Sequence, residues 1–74
     1  MRYHKRDRRD WLAQIFQCRA ATIGGVIRRQ VIDVEREIGT DALIAEVKRR
    51  GFRMIRTHQY YVIICNDGPI ELIC

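Results

Sequence analysis

Residues 12–29, LAQIFQCRAATIGGVIRR, decide how the N-terminal half of the chain folds. Leu12, Ile15 and Phe16 recur at three- and four-residue spacing, which predicts an amphipathic helix. Gly24 and Gly25 then interrupt the pattern, and two glycines inside a helix would cost about 2 kcal/mol relative to alanine. We therefore predict that the helix ends near residue 22. The glycines turn the chain into a short strand or extended link at residues 26–30.

The same stretch resembles the helix-turn-helix of bacterial and phage regulators, which gives an alternative. Apolar residues occupy the positions where the two helices of that motif pack, and Arg28 and Arg29 would end its recognition helix. Two features depart from the motif. Gln17 stands where the turn usually has glycine, and the glycine pair would fall inside the recognition helix.

The rest of the chain reads as helical first and extended last. Residues 31–39 and 40–50 carry apolar stripes at helical spacing, with Gly39 as the stop of the first helix and Thr40 as the cap of the second. Three short runs then predict an antiparallel meander: FRMIRT (52–57), YYVIIC (60–65) and PIELIC (69–74).

The expected fold class is α+β. Two or three N-terminal helices pack on a C-terminal three-stranded antiparallel meander, with a short extra strand at residues 26–30. Residues 1–7 are expected to form a basic flexible arm, and residues 8–74 a single small α+β domain.

YYVIIC is apolar at every position, whereas a strand covered on one face would alternate. Tyr61, Ile63 and Cys65 point to one face and the intervening residues to the other. The helices cover one face only. The other face must be covered by the N-terminal segment or by a second copy, which predicts a homodimer through the sheet.

The net charge of +5 is unevenly distributed. Residues 32–47 hold five acids against one arginine, whereas residues 48–59 hold five cations and no acid. Such a basic surface suits the phosphates of a nucleic acid, DNA first, or an acidic protein surface. The candidate nucleic-acid-binding residues are Arg28, Arg29, Lys48, Arg49, Arg50, Arg53, Arg56 and Tyr60.

A basic helix end followed by a basic hairpin resembles the recognition helix and wing of winged-helix proteins. In that resemblance helix 41–50 and hairpin 52–65 contact DNA, and the chain is a small nucleic-acid-binding regulator. The alternative is a protein-binding inhibitor or antiactivator of the phage or mobile-element type. It would act through the apolar sheet face or the acidic helix.

Catalysis has little support in the sequence. There is no serine, and His58 falls in a predicted hairpin turn, where an exposed polar residue is the usual interpretation. Cys18, Cys65 and Cys74 form no CxxC pair, so we expect buried free thiols and neither a metal site nor a cofactor. No stretch is long and apolar enough to span a bilayer, so a cytoplasmic protein without a membrane partner is expected.

Motifs along nearly the whole chain resemble a group of short bacterial proteins of uncharacterised function: WL..IF (11–16), GGV.RR (24–29), DVERE.G (33–39), RRGF (49–52) and VIICN (62–66). Some of that group are labelled phosphoribosylanthranilate isomerase. That isomerase is a (β/α)₈ barrel of roughly 200 residues or more, so the resemblance implies no such activity for 74 residues.

Overall fold

The computed structural model describes residues 8–74, and the predicted basic arm at 1–7 lies outside the described residues. Within that range four helices and a three-stranded antiparallel sheet form, so the α+β class is confirmed. The elements are α1 (Arg8–Ile15), α2 (Arg19–Ile23), β1 (Val26–Gln30), α3 (Val31–Glu37), α4 (Thr40–Arg49), β2 (Arg53–Thr57) and β3 (Tyr60–Ile64).

The glycine pair ends α2 and starts β1. Gly24 has a left-handed backbone with a φ of 77°, and the Gly25 N–H donates to the carbonyl oxygen of Ala20 at 2.7 Å. Both features are typical of a glycine-terminated helix. The strand at residues 26–30 is confirmed, and residues 26–29 therefore do not form a recognition helix.

The first helix is shorter than predicted, because residues 16–18 separate α1 from α2. The N–H groups of Phe16 and Gln17 donate to carbonyls three residues back, which tightens the last turn. The bend accompanies burial of Phe16, whose ring lies 6.1 Å from that of Phe52. The spacing of apolar residues within 12–29 could not show this long-range contact.

The sheet has the order β1-β3-β2, so β3 is central as predicted. The predicted third strand at residues 69–74 is wrong, because these residues have no regular secondary structure. β1 takes the edge of β3 at which the predicted meander places residues 69–74, and β2 pairs with the other edge of β3. The extra strand is therefore a full member of the sheet.

The helices cover one face of the sheet, called here the inner face. Tyr61, Ile63 and Cys65 point to it and are buried, as predicted from the alternation of β3. The core also contains residues from each predicted helical stripe, while Leu12 of the first stripe is only partly buried against it. Its buried residues are Ile15, Phe16, Ile27, Val31, Val34, Ile38, Leu43, Val47, Tyr61, Ile63 and Cys65.

The turn between α3 and α4 is formed by Gly39, which has a φ of 85° and separates the helices as predicted. The prediction that Thr40 caps α4 is wrong. Gly39 occupies the N-cap and no side chain caps the helix. The Thr40 hydroxyl is instead hydrogen-bonded to the Tyr61 hydroxyl at 3.0 Å, which attaches the start of α4 to the central strand.

Candidate nucleic-acid interface

The last turn of α4 brings together the densest cluster of predicted site residues. Lys48 and Arg49 lie in that turn and Arg50 caps it, where cations complement the helix dipole. Glu46 lies one turn earlier and binds two of them. Its carboxylate accepts hydrogen bonds from the Arg49 guanidinium and from Arg50 Nε, the latter at 2.6 Å.

These contacts change the electrostatics of Glu46. The hydrogen bond from Arg49 is the largest cause of a lowered pKa for this carboxyl group, with a further contribution from Arg50, while partial burial acts in the opposite direction. Glu46 therefore stays ionised and offsets part of the positive charge at the end of α4.

Arg50 has a packing role that the sequence did not indicate. Its guanidinium lies 4.3 Å from the centre of the Phe16 ring, a cation–π arrangement. Its side chain is 31% exposed, against 68% for Arg49. Arg49 is therefore the more exposed of the two arginines.

β2 runs beside α4 in the opposite direction. The Phe52 N–H donates to the Val47 carbonyl near one end, while Thr40 meets Tyr61, the partner of Arg56, near the other. Arg53 and Arg56 are exposed on this edge strand, and Arg56 points to the inner face, on which the helices pack, whereas Arg53 points to the opposite face. We call Lys48, Arg49, Arg53 and Arg56 the α4–β2 band.

The two arginines of β2 are held differently. Arg53 pairs with Ile64 and points to the outer face of the sheet, where it donates to the Asp67 carbonyl at 3.1 Å. Arg56 pairs with Tyr61 on the inner face and its guanidinium lies 5.9 Å from the centre of that ring. Each keeps its charge at the surface.

The remaining candidates lie apart from this band, because β3 separates β1 from β2. Arg28 and Tyr60 are on the outer face, with the guanidinium 4.5 Å from the ring centre. Arg29 points to the inner face and donates to the Arg28 carbonyl at 2.8 Å, beside Trp11 and Ile15. The single basic patch expected from the sequence is divided among three surfaces.

A cleft of about 420 Å³ lies between the start of α3 and the β2–β3 turn. Sequence reasoning missed it, since its walls come from separate parts of the chain. His58 is exposed in the turn, as predicted, with a positive φ of 51°, and the Gln59 carbonyl accepts from the Val31 N–H at 2.8 Å. The lining residues are Gln30, Val31, Ile32, Glu35, Arg56, His58 and Gln59.

The predicted buried thiols are confirmed only for Cys65, because Cys18 and Cys74 are exposed. Burial raises the pKa of the Cys65 thiol, which disfavours the reactive thiolate. Among residues 8–74, no group of three His, Cys, Asp or Glu side chains is arranged to hold a metal ion.

The chain matches no protein-family model, and no curated protein or solved structure is significantly similar to it. None of the helices within residues 8–74 has the length and apolar content needed to cross a membrane. The surface chemistry is therefore what indicates a function.

Proposed function

We propose that the protein is a small nucleic-acid-binding regulator that contacts duplex DNA through the α4–β2 band. The observation that carries this proposal is the position of Arg53 and Arg56 on the strand that flanks α4. Four exposed cations then lie on two adjacent elements, and a duplex that spans the edge of the sheet contacts Arg53 on the outer face as well as the other three. Phosphates are the ligand that such a set suits, since each contact releases counterions.

The element order supports a winged-helix-like mode. α3 and α4 are joined by a two-residue connection containing Gly39, as in a helix-turn-helix, and the β2–β3 hairpin follows α4 directly. In this mode α4 lies along the major groove of the DNA, and the β2–β3 hairpin contacts the adjacent phosphate backbone of the DNA.

The composition of α4 favours phosphate contacts over base reading. Its exposed positions are Asp41, Ala45, Lys48 and Arg49, so the N-terminal end that would approach the bases carries an acid and a methyl group. Long cationic side chains occur only at its C-terminal end. Because phosphate contacts carry no sequence information, we expect weak discrimination between DNA sequences.

The salt dependence of binding tests the proposal. Four phosphate contacts predict a slope of log affinity against log salt of about −3.6, or roughly a hundredfold loss between 50 and 200 mM salt. Fluorescence anisotropy with a labelled mixed-sequence duplex measures this slope, with single-stranded RNA as a second arm. If the protein binds neither the duplex nor the RNA at low salt, the proposal is contradicted. Binding to the RNA alone contradicts duplex DNA as the ligand.

Two variants assign the surface. Lys48→Ala combined with Arg56→Ala removes two cations of the band and is expected to make the slope shallower by about 2. The matched control is Arg36→Ala on α3, an exposed arginine that pairs with Asp33 and Glu37. Because the control removes one cation and the double variant two, a loss half as large in the control would show that net charge, and not the band, governs binding.

A gain-of-affinity variant tests the same surface from the other direction. Glu46→Gln removes the anion that engages Arg49 and Arg50, and it keeps the side-chain length. The affinity for duplex DNA is expected to rise severalfold at low salt, and the rise should diminish as salt screens the charges. Unchanged affinity in this variant would place the DNA away from the end of α4.

A protein target remains the alternative, as for an inhibitor or antiactivator. The observation that favours it is the exposed apolar surface on the outer face of the sheet, where Val26 is 58% and Ile55 is 40% exposed. A protein binder of this kind would show no salt-dependent affinity for DNA, so the salt titration separates the two functions.

A further inference from the structure

The outer face of the sheet, opposite the helices, is apolar at its centre and basic at its sides. Val26, Ile55, Val62 and Ile64 share this face by their register, and each is half-buried or exposed. Arg28 and Arg53 lie on the two edge strands on the same face. No element within residues 8–74 covers it, although its central strand is apolar.

The segment 69–74, PIELIC, has the complementary composition. Its apolar side chains are exposed: Ile70 by 50%, Leu72 by 89% and Ile73 by 78%. It carries one acid, Glu71, and none of the ion pairs of the described residues includes this carboxylate. The segment has no regular secondary structure and pairs with no strand of its own sheet.

The turn before this segment is fixed to the sheet end. Asn66 Nδ2 donates to the Gly24 carbonyl at 3.2 Å, and Asn66 Oδ1 accepts from the Gly68 N–H at 2.9 Å. Arg53 binds the carbonyl of Asp67. These contacts hold residues 66–68 at the end of β3, and the exposure of Leu72 shows that the chain does not fold back from there.

We propose that segment 69–74 of a second copy of this chain covers the outer face, and that the two copies exchange these segments in a two-fold dimer. Ile70 and Leu72 then pack on the Val62 and Ile55 centre of the partner's face, and Glu71 meets Arg28 at its side. The contact is reciprocal, as a two-fold interface requires.

Charge favours this exchange over direct contact of two outer faces. Direct contact of two outer faces would bring Arg28 and Arg53 of both copies into one interface, and none of the ion pairs of the described residues includes either cation. The segment supplies an acid together with its apolar side chains. Arg53 belongs both to this face and to the α4–β2 band, but the proposed contact is made with Val62, Ile55 and Arg28 and does not rest on the proposed function.

Sedimentation velocity over micromolar to submillimolar concentrations tests the dimer. The full chain is expected to dimerise, and Leu72→Asp is expected to raise the dissociation constant at least about tenfold, because it places a charge in the apolar contact. Ile32→Asp is the matched control, since Ile32 is 66% exposed on α3 and lies away from the outer face. A monomeric wild-type chain, or a Leu72→Asp variant as dimeric as wild type, overturns the proposal.

A charge-exchange experiment separates segment exchange from other dimers. Glu71→Arg and Arg28→Glu each place like charges together in both contacts of a homodimer, so each is expected to be monomeric where wild type is dimeric. A mixture of the two restores opposite charges in both contacts and is expected to form the heterodimer. Arg28→Glu that dimerises with wild type while Glu71→Arg has no effect would show direct contact of the outer faces instead.

Discussion

Glu46 offsets positive charge at the end of α4, because its carboxylate accepts hydrogen bonds from both Arg49 and Arg50. Its pKa lies below the ordinary value of 4.5, chiefly through the hydrogen bond from Arg49. A carboxyl group with a lowered folded-state pKa stabilises the fold above its unfolded pKa. That stabilisation is lost as the pH falls through the lowered value.

We therefore predict a pH-dependent difference between wild type and Glu46→Gln. At neutral pH the variant should be less stable by about 0.2–1 kcal/mol, the range typical of exposed ion pairs. Below pH 4.5 the difference should shrink, since protonation of Glu46 removes the same charge in wild type. Urea unfolding at a series of pH values measures it, and a difference that stays constant through the acid range contradicts the role of Glu46.

Single residues were predictable where the backbone alone decided their role. Gly24 and Gly39 were predicted to end helices, and both have the positive φ that glycine adopts most easily. The contact of Arg50 with Phe16 was not predictable, because the two residues are distant in sequence and meet only after the core has formed. The same holds for the hydroxyl pair of Thr40 and Tyr61.

At the scale of elements, the junction between α2 and β1 depends on two glycines for different reasons. A Cβ atom on Gly24 would lie 3.6 Å from the Cys65 carbonyl oxygen, an ordinary contact, so its left-handed φ is the constraint. Gly25 has no positive φ, but a Cβ there would lie 3.2 Å from the Cα and Cβ of Ala20. The first constraint is conformational and the second is steric.

Substitution at this junction is expected to separate the two constraints. Gly24→Ala should cost about 1–2 kcal/mol, the penalty for a left-handed residue with a Cβ. Gly24→Asn should cost less, because asparagine adopts this conformation more readily. Gly25→Asn should not show this advantage over Gly25→Ala. Urea unfolding with an unchanged m-value provides the comparison, and equal losses for Ala and Asn at position 24 would contradict the conformational explanation.

Residues 26–30 form a strand and residues 69–74 do not, although both segments have a strand-like composition. Periodicity predicts that a segment is able to form a strand, but it does not identify the partner. β1 lies beside β3 because the turn at Gly24 and Gly25 starts it there, and because the backbone N–H of Cys65 donates to the Gly25 carbonyl at 2.8 Å. Segment 69–74 follows the turn at residues 66–68, pairs with no strand and leaves Leu72 and Ile73 exposed. Of the four extended runs predicted from the sequence, three form strands and the run at 69–74 does not.

At the scale of the whole molecule, the charge map predicted basic surfaces without their separation. β3 lies between the strand with Arg28 and Arg29 and the strand with Arg53 and Arg56. Arg28 and Arg29 also point to opposite faces, because side chains alternate along a strand. The end of α4 and the edge of β2, by contrast, become neighbours. Sheet order and strand alternation together decide which cations share a surface.

The exchanged dimer has a consequence for stability that a monomer would not show. A chain of 74 residues is near the lower size limit for a self-sufficient core, so association is expected to contribute to its stability. If unfolding requires dissociation, the melting temperature should rise over a roughly hundredfold increase in protein concentration. In Leu72→Asp this rise should disappear, while the melting temperature at the lowest concentration should equal that of wild type. Equality is expected because Leu72 contacts none of the fully buried side chains around Val34, Leu43 and Ile63.

Differential scanning fluorimetry of both proteins measures how the melting temperature depends on protein concentration. A wild-type melting temperature that does not change with concentration would mean that the outer face of the sheet stays open in solution.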